Sequence, residues 1–327
     1  MAQKNLFTIF ANTSAATRLR KGWRGFAVLL CVTSASICNA QTDVEITLKN
    51  SFIEKYKNRA TINANLVVDR AHAHPNPASK DGDLHIAGRS PEEIALPIVA
   101  EIMNAHSEKD AVGLIHEVEG SGRAVKVAGA WRIWCEHGGL SPQKQGETLQ
   151  PFNTTNPDHV FEIHPLAKVG DFSTVESFVP IDGYQTKDAN QAFSSYENRR
   201  SQISVRDGMT TIVTGLGGFN YVEFVMQITG DQKEVEDGRL VMASVFDLNG
   251  ELLVKNRRMV FVKGTPPEEV VKQAKLGQRL HVLGIPRIDL ALVSWRTQHA
   301  NERPEALTWG LPYEIIVAAT YDQDGNE

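Results

Sequence analysis

The chain has 327 residues, 42% of them hydrophobic, with 34 basic and 39 acidic side chains and a formal net charge of −5. The first 40 positions hold five basic residues and no acidic one, so residues 41–327 carry 29 basic against 39 acidic side chains, a net charge of −10. That balance argues against binding a nucleic-acid backbone, which needs clustered Lys and Arg. With Cys135 the only cysteine beyond position 40, an intramolecular disulfide framework is excluded there.

The amino terminus reads as an export signal. Lys4, Arg18, Arg20, Lys21 and Arg24 precede an apolar run over residues 26–38, and Asn39-Ala40 follows, with cleavage expected before Gln41. The run is shorter than the roughly 20 residues of a membrane span, so no transmembrane anchor is expected in the mature chain. Leu30 and Ile37 stand where a lipoprotein signal before Cys31 or Cys38 would have a small residue. A soluble periplasmic or secreted protein is therefore expected. The basic segment is long for a leader, which leaves the start codon open.

Residues 60–69, 82–87, 94–103, 123–134 and 159–169 read as strands, rich in Val, Ile and aromatic residues and bounded by Gly, Pro, Asn and Asp. A helix is expected over 108–119, between the third and fourth strands, with Ala111, Val112, Leu114, Ile115 and Val118 as its apolar positions. The resulting order, β-β-β-α-β-β, is that of an OB-fold, a five-stranded, partly open barrel. Residues 171–208, polar and carrying Pro180 and Gly183, read as a linker. The aromatic residues Phe178, Tyr184, Phe193 and Tyr196 predict that this linker packs on something.

The second half repeats the order, with strands over 221–229, 239–247, 252–263, 279–296 and 313–321. Asn249-Gly250 marks a hairpin turn, and Thr265-Pro266-Pro267-Glu268-Glu269 opens a helix, with Thr265 as its N-cap. The expected fold is mainly β: two OB-like five-stranded barrels in tandem, each with a short helix. The first spans residues 41–170 and the second residues 209–327.

Acids and imidazoles fall at two-residue spacing on two of these strands, and the third strand adds Glu101. With Leu84, Ile86, Ile98, Ala100, Ile102, Phe161 and Ile163 facing the core, alternation turns Asp83, His85, Glu101, Glu162 and His164 outward. OB topology sets the third strand between the second and fifth, so all five are expected to share one outer patch. Such a patch suits three uses: cross-strand pairing, a binding surface, or a divalent-metal or acid–base site with His85, Glu101 and His164 as metal ligands. Asp81-Gly82-Asp83 also reads as plain turn chemistry at a strand entrance.

Other groups are weaker. His72 and His74 precede Pro75-Asn76-Pro77 in a polar loop, and Cys135-Glu136-His137 falls short of the four ligands of a structural zinc site. Gly215-Leu216-Gly217-Gly218 lacks the Lys-Ser/Thr of a phosphate loop and reads as a hairpin or bulge. Trp131 and Trp134 point to opposite faces of one strand. One should fill the core while the other either covers a contact between the halves or stays exposed to stack a sugar or base.

Asp81-Gly82-Asp83-Leu84-His85, Ala100-Glu101-Ile102 and Glu162-Ile163-His164-Pro165 together resemble the DGD-x-H, AEI and E-[LI]-H-P motifs of an uncharacterised group of bacterial exported OB-fold-like domains. The resemblance covers residues 60–170 and implies a fold and an export route, but no reaction. Residues 130–137 depart from it where a plainer strand and a glycine-rich loop are expected.

The leading functional expectation is an exported, non-enzymatic tandem OB-like protein that binds a ligand or protein partner. The alternatives are a divalent-metal-dependent hydrolase using the outer His/Glu patch, and single-stranded nucleic-acid binding.

Overall fold

The computed structural model describes residues 43–299 and 308–321, and the export signal expected over residues 1–40 lies outside them. The described chain begins with β1 (Asp43–Lys49), whose Val44, Ile46 and Leu48 alternate into the interior. Helix α1 (Asn50–Tyr56) follows and buries Phe52, Ile53 and Tyr56.

The first barrel forms where the apolar alternation predicts it. β2 (Thr61–Ala71), β3 (Leu84–Arg89) and β4 (Ile98–Ile102) run antiparallel in succession. Helix α2 (Lys109–Val118) buries Ala111, Ile115 and Val118, spaced for one helical face. β5 (Ala124–Ile133) then returns antiparallel to β2. The chain leaves to add the short β6 (Gln143–Lys144) beside β1, and comes back as β7 (Phe161–Val169), which is antiparallel to β5 and parallel to β4. That last pairing closes the ring, with the third strand between the second and the fifth as expected. β8 (Phe172–Ser173) folds back antiparallel against the end of β7.

Helix α3 (Ala189–Asn198) and strands β9 (Arg200–Arg206) and β10 (Met209–Gly215) lead into the second barrel. Its strands are β11 (Val222–Val235), β12 (Gly238–Phe246), β13 (Leu252–Val262), β14 (Arg279–Ile288) and β16 (Tyr313–Thr320). Helix α4 (Pro266–Gln273) sits between β13 and β14, and the ring order β11-β12-β13-β16-β14 matches that of the first barrel. Both expected barrels are therefore present.

Two local expectations are corrected, and the expected hairpin holds. The strand expected over 279–296 stops at Ile288, because Asp289 accepts the Leu292 amide at 2.9 Å and starts helix α5 (Leu290–His299). Thr265 does occupy the N-cap position of α4, but its hydroxyl donates to the Val262 carbonyl at 2.7 Å instead of capping the helix. Asn249-Gly250 sits in a hairpin whose loop is held by Asp247, which accepts the Asn249 and Glu251 amides.

A third sheet has no counterpart in the sequence-based expectation. Its order is β15-β9-β10-β1-β6, with β15 (Thr308–Gly310) at one edge. Residues preceding the first barrel thus pair with residues 209–215 beyond it. Residues 171–208 contain α3 and β9, and Phe178, Phe193 and Tyr196 are buried.

The barrels meet along an apolar cluster that includes Met103, Ala130, Phe178, Tyr221, Leu283 and Ile285. Two buried arginines cross the contact. Arg132 Nε donates to the Pro286 carbonyl at 2.9 Å, and Arg287 donates to the carbonyls of Ala60, Trp131 and Arg59. No helix among the described residues is long and apolar enough to cross a membrane.

Candidate functional site

The site begins at the turn before β3. Gly82, at φ +72°, takes the left-handed conformation that lets the chain swing from Asp81 into the strand, and Asp81 Oδ1 accepts the Asp83 amide at 3.1 Å. Leu84 and Ile86 then face the barrel interior, leaving Asp83 and His85 outside. His85 stands directly opposite Glu101 across β3 and β4, while Glu162 on β7 lies beside Val99 of β4.

All five predicted residues converge. His164 Nδ1 lies 3.4 Å from Glu101 Oε2 and 3.4 Å from Glu162 Oε2, and His85 Nε2 is 3.7 Å from the same Glu101 oxygen. Asp83, Glu101 and His164 offer ligand atoms within 4.8 Å of one another, the one such group of three or more among the described residues. The tight trio thus contains Asp83 where the sequence predicts His85, which stands at its edge.

The expectation of an exterior patch is corrected. These side chains face out of the first barrel, but the second barrel and residues 171–221 cover that face. Asp83 and His164 expose no surface, Glu162 and Glu101 are buried, and His85 keeps 17% of its side chain exposed. Tyr221, just ahead of β11, closes the cluster: its hydroxyl donates to Asp83 Oδ2 at 2.6 Å and lies 2.8 Å from His164 Nε2.

Burial and charge compete at each group. Burial pushes Asp83 up to about 7 against the pull of His164. Burial opposes the charged form of His85, but Glu101 and Asp81 outweigh it and lift the imidazole to about 9. His164 is held well above its ordinary value despite burial, chiefly by Glu101, and Glu162 well below its own despite burial, chiefly by Arg132.

No protein-family model matches this chain, and a search of the curated proteins returns no match.

Arg132, Tyr221 and His159 belong to the cluster although the sequence did not single them out. Arg132 pairs with Glu162, directly opposite it across β5 and β7, and reaches Glu136 at 3.2 Å. A charged residue inside the apolar run 130–134 was the available signal, since a buried cation requires an acid. His159 Nε2 lies 3.3 Å from Glu162 Oε1. Tyr221 had no signal, because its role depends on how the second barrel docks.

The weaker groups scatter. His72 stacks on His85 with ring centroids 4.7 Å apart. Cys135 is a buried free thiol pushed up to about 11 by burial, and Cys135-Glu136-His137 gathers no ligand trio. His137 instead stacks on His159. Trp131 and Trp134 are both buried, which removes the alternative of an exposed stacking face and agrees with the other, cover of a contact between the halves. Trp131 lies under the Arg287 guanidinium, 3.5 Å from the ring centroid, and Trp134 packs edge-on against Tyr196 of α3.

Proposed function

We propose that this is an exported tandem OB-like protein, periplasmic or secreted, that works by binding a ligand or protein partner and not by catalysis. The observation that carries this reading is the burial of its acids and imidazoles. Asp83 and His164 lie beneath Tyr221 and expose no surface, whereas a general acid or base must come within hydrogen-bond reach of its substrate. Arg132 and Arg287 tie the two barrels into a fixed frame, and a preorganised frame loses little entropy on binding. The basic and apolar pattern of residues 1–40 and the resemblance to exported bacterial domains support the compartment.

One cleft suits a ligand. About 360 Å³ is lined by Glu136, His137, Leu140, Asn156, Asp158 and Leu216, with Leu140 and Leu216 both exposed. Polar, partly acidic walls with two exposed leucines fit a glycan or a short peptide better than a polyanion.

The test is capture of cross-linked partners from the exported fraction, run beside a glycan array. A hit competed by free protein and weakened by Leu140→Asp is expected. No signal above background in either assay would count against binding. A salt-dependent shift of single-stranded DNA would instead favour nucleic-acid binding, and chelator-sensitive turnover of an ester or phosphodiester would favour the hydrolase reading built on His85, Glu101 and His164.

A further inference from the structure

We infer that the buried cluster between the barrels is a binding site for one divalent transition-metal ion of the zinc type, held by Asp83, Glu101 and His164 with His85 as the fourth ligand. This goes beyond the binding function and stands independently of it.

Unpartnered atoms carry the argument. Asp83 Oδ1, His85 Nε2 and His164 Nδ1 are buried and make no hydrogen bond, although buried polar atoms are almost always paired. His164 Nδ1 does approach two carboxylate oxygens at 3.4 Å, without the geometry of a hydrogen bond. Three buried ligand atoms without a hydrogen bond, gathered in one small volume, form an arrangement that one shared cation would satisfy.

The hydrogen-bond directions agree. Tyr221 has a single hydroxyl hydrogen, which goes to Asp83 Oδ2, so its oxygen accepts from Nε2–H of His164. An ion that displaces the Nδ1 proton of His164 would meet a lone pair there, directed towards Glu101 and Glu162. Fixing a tautomer through the far ring nitrogen is how metal-ligating histidines are oriented.

Spacing and charge fit as well. Ligands at about 2.0–2.2 Å from a tetrahedral ion stand about 3.3–3.6 Å from one another. Glu101 Oε2 is 3.4 Å from His164 Nδ1 and 3.7 Å from His85 Nε2. Drawing in a ligand atom now 4.8 Å away takes roughly 1 Å of side-chain movement. Asp81, Asp83, Glu101 and Glu162 surround one permanent cation, Arg132, which already pairs with Glu162 and Glu136, and the protons that His85 and His164 hold against the remaining acids are ones a bound ion would displace. The mixed nitrogen and oxygen donors favour zinc, cobalt or nickel over calcium or magnesium, which prefer all-oxygen sets. A bound ion would join β3, β4 and β7, and through Tyr221 would reach the second barrel.

The experiment uses the whole chain without a histidine tag, stripped with chelator and then titrated with Zn²⁺ and Co²⁺. One equivalent by elemental analysis, a tetrahedral cobalt absorption band and a raised melting temperature are expected. Asp83→Asn and Glu101→Gln preserve shape and should each weaken binding by about 100-fold or more, while Tyr221→Phe should weaken it about 10- to 100-fold with one equivalent retained. Circular dichroism confirms that each variant is folded. Should one variant fail to fold, the other two carry the comparison. Wild-type protein that takes up no stoichiometric metal overturns the inference. So does a folded Glu101→Gln protein that binds as tightly as wild type, because the ion would then sit elsewhere.

Discussion

Tyr221 and Asp83, 138 residues apart, meet at 2.6 Å through one hydrogen bond that spans the two barrels. The tyrosine belongs to the start of the second barrel and the acid to the strand entrance of the first, so the bond exists only when both are docked. His164, 2.8 Å away on the other side of the same hydroxyl, makes the contact a three-residue bridge.

Removing that hydroxyl takes from Asp83 Oδ2 and His164 Nε2 their short hydrogen bonds and leaves them only each other, 3.4 Å apart. Tyr221→Phe should therefore cost about 1–3 kcal/mol, the usual penalty for an unsatisfied buried group. Urea unfolding should show a lower midpoint at an unchanged slope. A midpoint equal to that of the wild type would rule out a stabilising role for the bridge.

Arg287 makes a denser contact. It donates to Glu314 at 2.7 Å and to three carbonyls of the first barrel, while its guanidinium lies over Trp131. Arg287→Met should destabilise by about 3–5 kcal/mol, because it strips a buried carboxylate of one of its two arginines. Adding Glu314→Gln should recover part of that loss. A double-mutant cycle showing no coupling between the two positions would refute the ion-pair explanation.

Asp289 predicts a pH dependence. Burial and the neighbouring Glu314 carboxylate push it up to about 6, against the pull of Arg258. Its folded value lies above the unfolded value of about 3.9, so the folded chain holds the proton more tightly, and stability from this group falls as pH rises from about 4 to about 6. The change amounts to at most about 3 kcal/mol. Asn caps a helix as well as Asp does, so Asp289→Asn should retain helix α5 while losing this slope. Parallel pH slopes for wild type and variant in denaturant titrations would contradict the assignment.

Cys135 is expected to be chemically silent in the folded protein. It is fully buried and its thiol is pushed up to about 11 by burial, so little thiolate forms and reagents cannot reach it. Peptide mapping after alkylation should find Cys135 unlabelled in native buffer and labelled in guanidinium. Rapid native labelling would show that the strand end after β5 opens readily.

Local pattern alone was enough to determine both barrels. Period-two burial in residues such as Ile62, Leu66, Leu84, Ile86, Phe161 and Ile163 is a property of consecutive side chains, and it fixed the strands, their core faces and the outward direction of Asp83, His85, Glu101, Glu162 and His164. Helix α5 escaped because its start depends on one capping carboxylate, and the third sheet escaped because β9 buries only Ser201 and Ile203. What lies over the five outward groups was decided by tertiary structure. Alternation states which way a side chain leaves its own barrel, but not whether water or another barrel waits there. Docking of Tyr221, Arg132 and Arg287 turned an expected surface patch into a buried one, and contacts between residues so far apart in the chain leave no periodic trace in sequence.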